Sequence, residues 1–231
     1  MGRDRRPARP PRSALSRRFD LRGEANRFAG ELSDLLNNTV TDGIRIRAVT
    51  DRAGQRASIG YELPPRDLVN FKMIPLARQR DKPNLYLGML FRMAPDDASR
   101  YPMIRSSVIF LSLDNEPDGR TVLHYDYERD KADDYPEAHL QVCATSPEWE
   151  EIAGRRPLEK LHLPVRGRRF RPTIEDLIKF LIVEKLVKAR DGWQEPIERG
   201  REGFELRQLR AAVRRNPEAA LSVLRQEGHI R

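Results

Sequence analysis

The stretch from His139 to Val187 constrains the fold more than any other part of the chain. It carries two short segments of one form, His139-Leu140-Gln141-Val142 and His162-Leu163-Pro164-Val165, which read as strands. The Arg-rich RGRRFRP follows, and then an apolar helix that Thr173 is placed to cap, with Asp176 three residues on as in a capping box. Ile174, Leu177, Ile178, Leu181, Ile182 and Leu186 form one face of that helix, and Phe180, Val183 and Val187 widen it. Its polar side is reduced to Glu175, Lys179, Glu184 and Lys188. So broad an apolar surface must be buried against something large, most simply a sheet.

The rest of the chain supplies that sheet. Asp20 caps a helix running to about Asn37, with Leu21, Ala25, Phe28, Leu32, Leu35 and Leu36 as its apolar stripe. Ile44 to Val49 and Ala57 to Leu63 flank Asp51-Arg52-Ala53-Gly54 and read as a hairpin. Phe71 to Leu76 offers a further strand. The heaviest strand signals are Leu85 to Met93 and Met103 to Leu113, followed by a turn over Asn115 to Gly119 and a return strand over Thr121 to Glu128. Asp191-Gly192 breaks the second helix; further helices are expected over about 203–215 and from Pro217, with Asn216 as cap. The expected fold is α+β: an antiparallel-dominated sheet of six to seven strands, with an N-terminal helix and C-terminal helices on one face. Residues 1–16 read as a disordered Arg/Pro-rich tail, 17–190 as the α+β domain, and 191–231 as a C-terminal helical extension.

Charge is uneven along the chain. The formal net charge is +8, of which residues 1–18 contribute +6 through seven Arg and one Asp. Arg outnumbers Lys by 36 to 7, a skew that fits GC-rich coding as well as selection for polyanions. Residues 155–171 hold seven basic side chains and one acid, and residues 114–137 hold nine acids and three basic side chains. These blocks can pair with each other, or the first can meet a phosphate. Within it Arg166, Arg168, Arg169 and Arg171 precede a helix N-terminus, where an anion also meets free backbone N–H groups.

Several classes are excluded. The lone Cys143 forms no intramolecular disulfide and no Cys-based zinc knuckle, and suits a reducing, cytoplasmic compartment. No apolar run approaches the roughly 18 residues of a membrane span, so no membrane partner is expected. The Arg-rich start is followed by no apolar segment, which does not read as a secretory signal. Phosphate-binding glycine loops and the nucleophile elbow G-x-S-x-G are absent. Pro117-Asp118 has no Glu-x-Lys on the next strand, so the PD-(D/E)xK nuclease pattern fails. The last two helices make a poor helix-turn-helix, since Arg225 is the only basic residue of the second.

Parity along the strands gives one candidate site. Successive side chains of a strand point to opposite faces. Leu123, Tyr125 and Tyr127 share a face, and His124, Asp126 and Glu128 take the other. Likewise Leu140 and Val142 oppose His139, Gln141 and Cys143, while Leu161 and Leu163 oppose Lys160 and His162. If these strands are neighbours on one core, His124, His139 and His162 meet on a polar face beside Asp126. Two sharp chemistries follow. His124, Asp126, His139 and His162 could ligate a divalent metal such as zinc or manganese. Alternatively His139 and His162, with Asp126, could act as acid and base on a phosphodiester without metal. The plain alternative is the solvated face of a half-buried sheet.

Two resemblances bear on these residues. The paired His-Leu-x-Val strands resemble in outline the two His-x-Thr strands of the two-histidine phosphoesterases, with Gln141 and Pro164 standing where that pattern has Thr. Leu123 to Glu128, Tyr135 to Val142, Leu161 to Val165 and Arg168 to Thr173 together resemble uncharacterised, mainly actinobacterial proteins. Their layout is similar to small families found near mobile elements and toxin–antitoxin loci. Those relatives carry Gly-Gly where this chain has Arg166-Gly167. The resemblance covers roughly 123–182 and implies a bacterial cytosolic setting and a defence or toxin-like context; it brings no catalytic residue with it. The expected partner is nucleic acid or another polyanion. The rival is a non-catalytic, antitoxin-like or scaffold module that docks a protein through Leu206, Leu209, Val213, Leu221 and Leu224.

Overall fold

A computed structural model describes residues 19–130, 136–144, 163–165 and 172–231. Helix α1 spans Leu21–Asn37 and begins where the sequence places it: the Gly23 N–H donates to the Asp20 carboxylate at 3.0 Å. Leu21, Ala25, Ala29, Leu32, Leu35 and Leu36 are buried, and Phe28 meets Phe91 edge-on with centroids 5.3 Å apart. The far end is tied to the sheet through side chains. Ser33 Oγ accepts from the Ile46 N–H at 2.9 Å, while Asn37 both accepts from the Ile44 N–H and donates to its carbonyl, at 2.8 and 2.7 Å.

The strands are β1 (Ile46–Thr50), β2 (Ala57–Tyr61), β3 (Ile74–Pro75), β4 (Tyr86–Pro95), β5 (Pro102–Ser112), β6 (Thr121–Glu128), β7 (Ala138–Val142) and β8 (Leu163–Pro164). They pair antiparallel throughout in the order β1-β2-β4-β5-β6-β7-β8, with β3 attached to the start of β4. The predicted hairpin forms between β1 and β2, with Gly54 at φ +66° in its turn. The core lies on one face, where Leu87, Met89, Phe91 and Met93 of β4 and Ile109 and Leu111 of β5 meet α1 and the second helix. Each such side chain contributes roughly 1.5–3 kcal/mol on burial, so this layer dominates stability.

Helix α2 spans Ile174–Val183 and opens with the expected capping box: Asp176 N–H donates to Thr173 Oγ1, and Thr173 N–H to the Asp176 carboxylate. Two expectations for it are corrected. The helix stops at Val183, because Lys185 takes φ +56° and the chain turns extended; Val187 then pairs with Arg78 instead of continuing a helical face. Phe180 and Val183 do not widen the buried surface, being 43% and 57% exposed, whereas Glu175, assigned to the polar side, is buried.

Helix α3 spans Gln194–Arg215, nine residues longer at its start than expected, and α4 spans Pro217–Gln226 with Pro217 in its first turn. Ile197 is the one residue of these two helices that is buried. The protein is α+β, with its helices placed before and after an antiparallel sheet. Among the described residues no helix is long and apolar enough to cross a membrane.

Candidate functional site

The register of β6 on β7 brings the predicted polar residues together. Asp126 lies directly opposite His139, and His124 opposite Gln141; Tyr125 and Leu140 pair on the other face. Because His124 and Asp126 are two apart on one strand, they share a face with His139 across the ladder. One carboxylate oxygen, Asp126 Oδ2, stands 3.6 Å from His124 Nδ1 and 3.5 Å from His139 Nε2. These are ion-pairing separations, somewhat longer than a hydrogen bond.

The two rings differ in setting. The His139 side chain is 6% exposed, and those of His124 and Asp126 are each 30% exposed. His139 Nδ1–H donates to the Pro136 carbonyl at 3.2 Å, which fixes that ring with its Nε2 toward Asp126. A proton on Nε2 as well would let the ring donate to both acceptors at once. His124 keeps a face toward solvent. The arrangement is a carboxylate held between a buried, oriented imidazole and an accessible one, suited to moving or holding a proton.

This face is not uniformly solvated. Phe110 pairs with His124 on one side and with Gly88 on the other, and its ring lies against the glycine. A Cβ at position 88 would stand 2.2 Å from that ring, so only glycine lets it settle there. Phe71 packs edge-on against Phe110 at 6.1 Å, and Leu63, Met73 and Leu90 are buried nearby. The loop after β2 thus covers the face over β4 and β5, and the His–Asp cluster begins where that cover ends.

His162, Arg166, Arg168, Arg169 and Arg171 lie outside the described residues. In β8 the register sets His139 opposite Pro164 and Leu140 opposite Leu163, so Leu163 takes the apolar parity expected of it. Cys143 is half-buried, and its backbone N–H donates to the Val122 carbonyl at 2.9 Å. Among the described residues, no group of three or more His, Cys, Asp and Glu side chains is arranged to hold a metal ion.

Sequence reasoning missed a second concavity. On the helix-bearing face a cleft of about 740 Å³ opens between α1, the ends of β4 to β6 and the C-terminal half of α3. Glu175 sits in its wall, and burial pushes that carboxyl above the ordinary glutamate range. The signal that could have found it is the run from Leu206 to Arg215, which carries four Arg and no acid. Comparisons of the chain with protein families, with curated proteins and with solved structures find no match.

Proposed function

We propose that the protein binds nucleic acid and acts on its phosphodiester backbone through His124, Asp126 and His139. The observation that carries this reading is the single Asp126 oxygen standing 3.5 and 3.6 Å from two imidazoles. His124 has the accessible ring and exchanges the proton with the substrate, taking it from the attacking hydroxyl or giving it to the leaving oxygen. Asp126 orients that ring, and His139, anchored on Pro136, orients Asp126. His162 is the second imidazole of the sequence reading and the counterpart acid or base. The basic balance of the chain, +8 overall, supports a polyanionic substrate, and the Arg166 to Arg171 patch is its proposed anchor. The proposed setting is bacterial and cytoplasmic, in a defence or toxin-like context, which rests on the sequence resemblance.

The test is binding of a fluorescent 20-nucleotide single strand at rising salt, with cleavage followed by gel. About four phosphate contacts predict a loss of affinity of tens-fold or more between 50 and 200 mM salt. Binding that ignores salt contradicts the reading.

One observation favours a second reading, a non-catalytic interaction module. Leu206, Leu209, Val213 and Leu224 are all exposed, and α4 buries no residue at all. Such an apolar stripe suits an amphipathic helix of a partner protein. Under this reading Leu209→Glu/Val213→Glu abolishes stoichiometric co-purification of that partner, and the unsubstituted protein cleaves no nucleic acid.

A further inference from the structure

The cleft on the helix-bearing face has a built character that the His–Asp cluster does not explain. It is lined by α1 residues Phe28 and Glu31, by Ser107 and Ile109 of β5, by Tyr125 of β6 and by α3 residues from Phe204 to Arg215. The C-terminal half of α3 forms its roof. Two contacts hold the roof up: Arg207 Nη1 lies 3.4 Å from the Glu31 carboxylate on α1, and the Arg214 guanidinium stands 5.2 Å above the Tyr101 ring. A cavity of about 740 Å³ is within the roughly 300–1,000 Å³ typical of small-molecule sites.

Its lining is divided by chemistry. The floor is apolar and partly aromatic, made by Phe28, Phe91, Ile109 and Tyr125. Arg100, Arg129, Arg210 and Arg214 also line it, none of the four within ion-pairing distance of a carboxylate among the described residues, and Asp96 and Asp97 lie in the same wall as Arg100. Arg105, Arg207 and Arg27 are by contrast paired, with Asp130, Glu31 and Glu24. One carboxylate on a ligand would satisfy a single guanidinium; two or more guanidiniums in one cleft match the multiple oxygens of a phosphate or diphosphate. The floor suits a flat, weakly polar body, and the Glu175 carboxyl lines the same cleft as a hydrogen-bonding group.

We propose that this cleft binds a nucleoside phosphate, with the base on the Phe28 and Tyr125 floor and the phosphates on Arg100, Arg210 and Arg214. Tyr125 of this cleft and His124 of the acid–base cluster are on opposite faces of β6, while Asp126 is among the residues along the edge of the cleft. A free nucleotide and the phosphorylated end of a single strand present the same chemistry.

Calorimetric titration of the full chain with ADP, pyrophosphate and a 5′-phosphorylated trinucleotide tests it. ADP is expected to bind at least tenfold more tightly than pyrophosphate, since the floor contributes only to the nucleoside. Arg210→Ala/Arg214→Ala is expected to weaken ADP at least thirtyfold. Arg100→Ala, which lies outside α3, is expected to weaken it at least fivefold. Arg225→Ala, on α4, serves as the control and leaves binding unchanged. A trinucleotide that binds more tightly than ADP identifies a strand end as the natural ligand; equal or weaker binding identifies the free nucleotide. Pyrophosphate binding as tightly as ADP, unchanged ADP affinity in the Arg variants, or no heat from any probe at 1 mM overturns the proposal.

Discussion

Gly200 of α3 lies directly against the carboxyl of Glu175 on α2: a Cβ at position 200 would stand 2.4 Å from Glu175 Oε1 and 2.9 Å from its Cγ. The two helices cross at that point, and the missing side chain is what lets a buried glutamate pass beneath α3. Gly203, one turn on, has nothing closer than the Arg207 guanidinium at 3.6 Å.

The two glycines therefore predict substitutions of opposite sign. Gly203→Ala adds helix propensity at an open position and is expected to stabilise by about 0.5–1 kcal/mol. Gly200→Ala gains the same propensity but must displace a buried carboxyl, and a net loss of about 1–3 kcal/mol is expected. Urea denaturation of both variants checks this; stabilisation by Gly200→Ala would show that α3 does not sit on Glu175.

Glu175 itself predicts a pH dependence. Burial, the largest cause, raises its pKa, and the neighbouring Thr173 and Arg207 only partly oppose that. The folded state then holds its proton more tightly than the unfolded chain does. The resulting stabilisation is fully present below the unfolded value, about 4.3, and is lost as pH rises through the higher folded value. Glu175→Gln removes the ionisation while keeping the shape. Its melting temperature at pH 7.5 is expected to exceed that of the unsubstituted protein by a few degrees (about 2–4 °C per kcal/mol), with the advantage shrinking toward pH 4. A pH-independent difference would contradict the assignment.

The C-terminal helices put one apolar side chain into the core. Ile197 is 1% exposed in the main core, whereas Leu209 is 60% exposed. Ile197→Ala is expected to cost about 2–5 kcal/mol. Leu209→Glu/Val213→Glu is expected to stay within about 0.5 kcal/mol per site, since both side chains are exposed. A large loss of stability in the double variant would mean that the stripe is already covered within the fold.

Much of this was readable from residues alone, and for a definite reason. Alternation on β6 and β7 has a period of two, so once Leu123, Tyr125 and Leu140 are committed to the core, the placement of His124, Asp126 and His139 follows without knowing the sheet. Capping is equally local: Asp20, Thr173 with Asp176, and Pro217 each mark a helix start through contacts within four residues. Helix α3 starts at Gln194, before the expected 203, and contains Pro196, Gly200 and Gly203. Pro196 falls in the first turn, where its missing N–H has no partner to lose, and Gly200 is needed for the helix crossing. Counting apolar residues on α2 overstated its buried width, since composition does not say that the helix ends at Val183. The cleft was out of reach altogether. Its walls come from residues as far apart as Phe28 and Arg214, and only the path of α3 across the sheet brings them together.

The account rests on Asp126 orienting an imidazole for proton transfer, and Asp126→Asn tests that directly. The side chain is partly exposed, so the variant is expected to fold normally and to bind a single-stranded RNA within threefold of the unsubstituted protein. Single-turnover cleavage of that strand is expected to slow about a hundredfold or more, the scale of one acid–base contribution, and His124→Ala is expected to do the same. Cleavage at an undiminished rate by Asp126→Asn, or no cleavage by the unsubstituted protein, would contradict it.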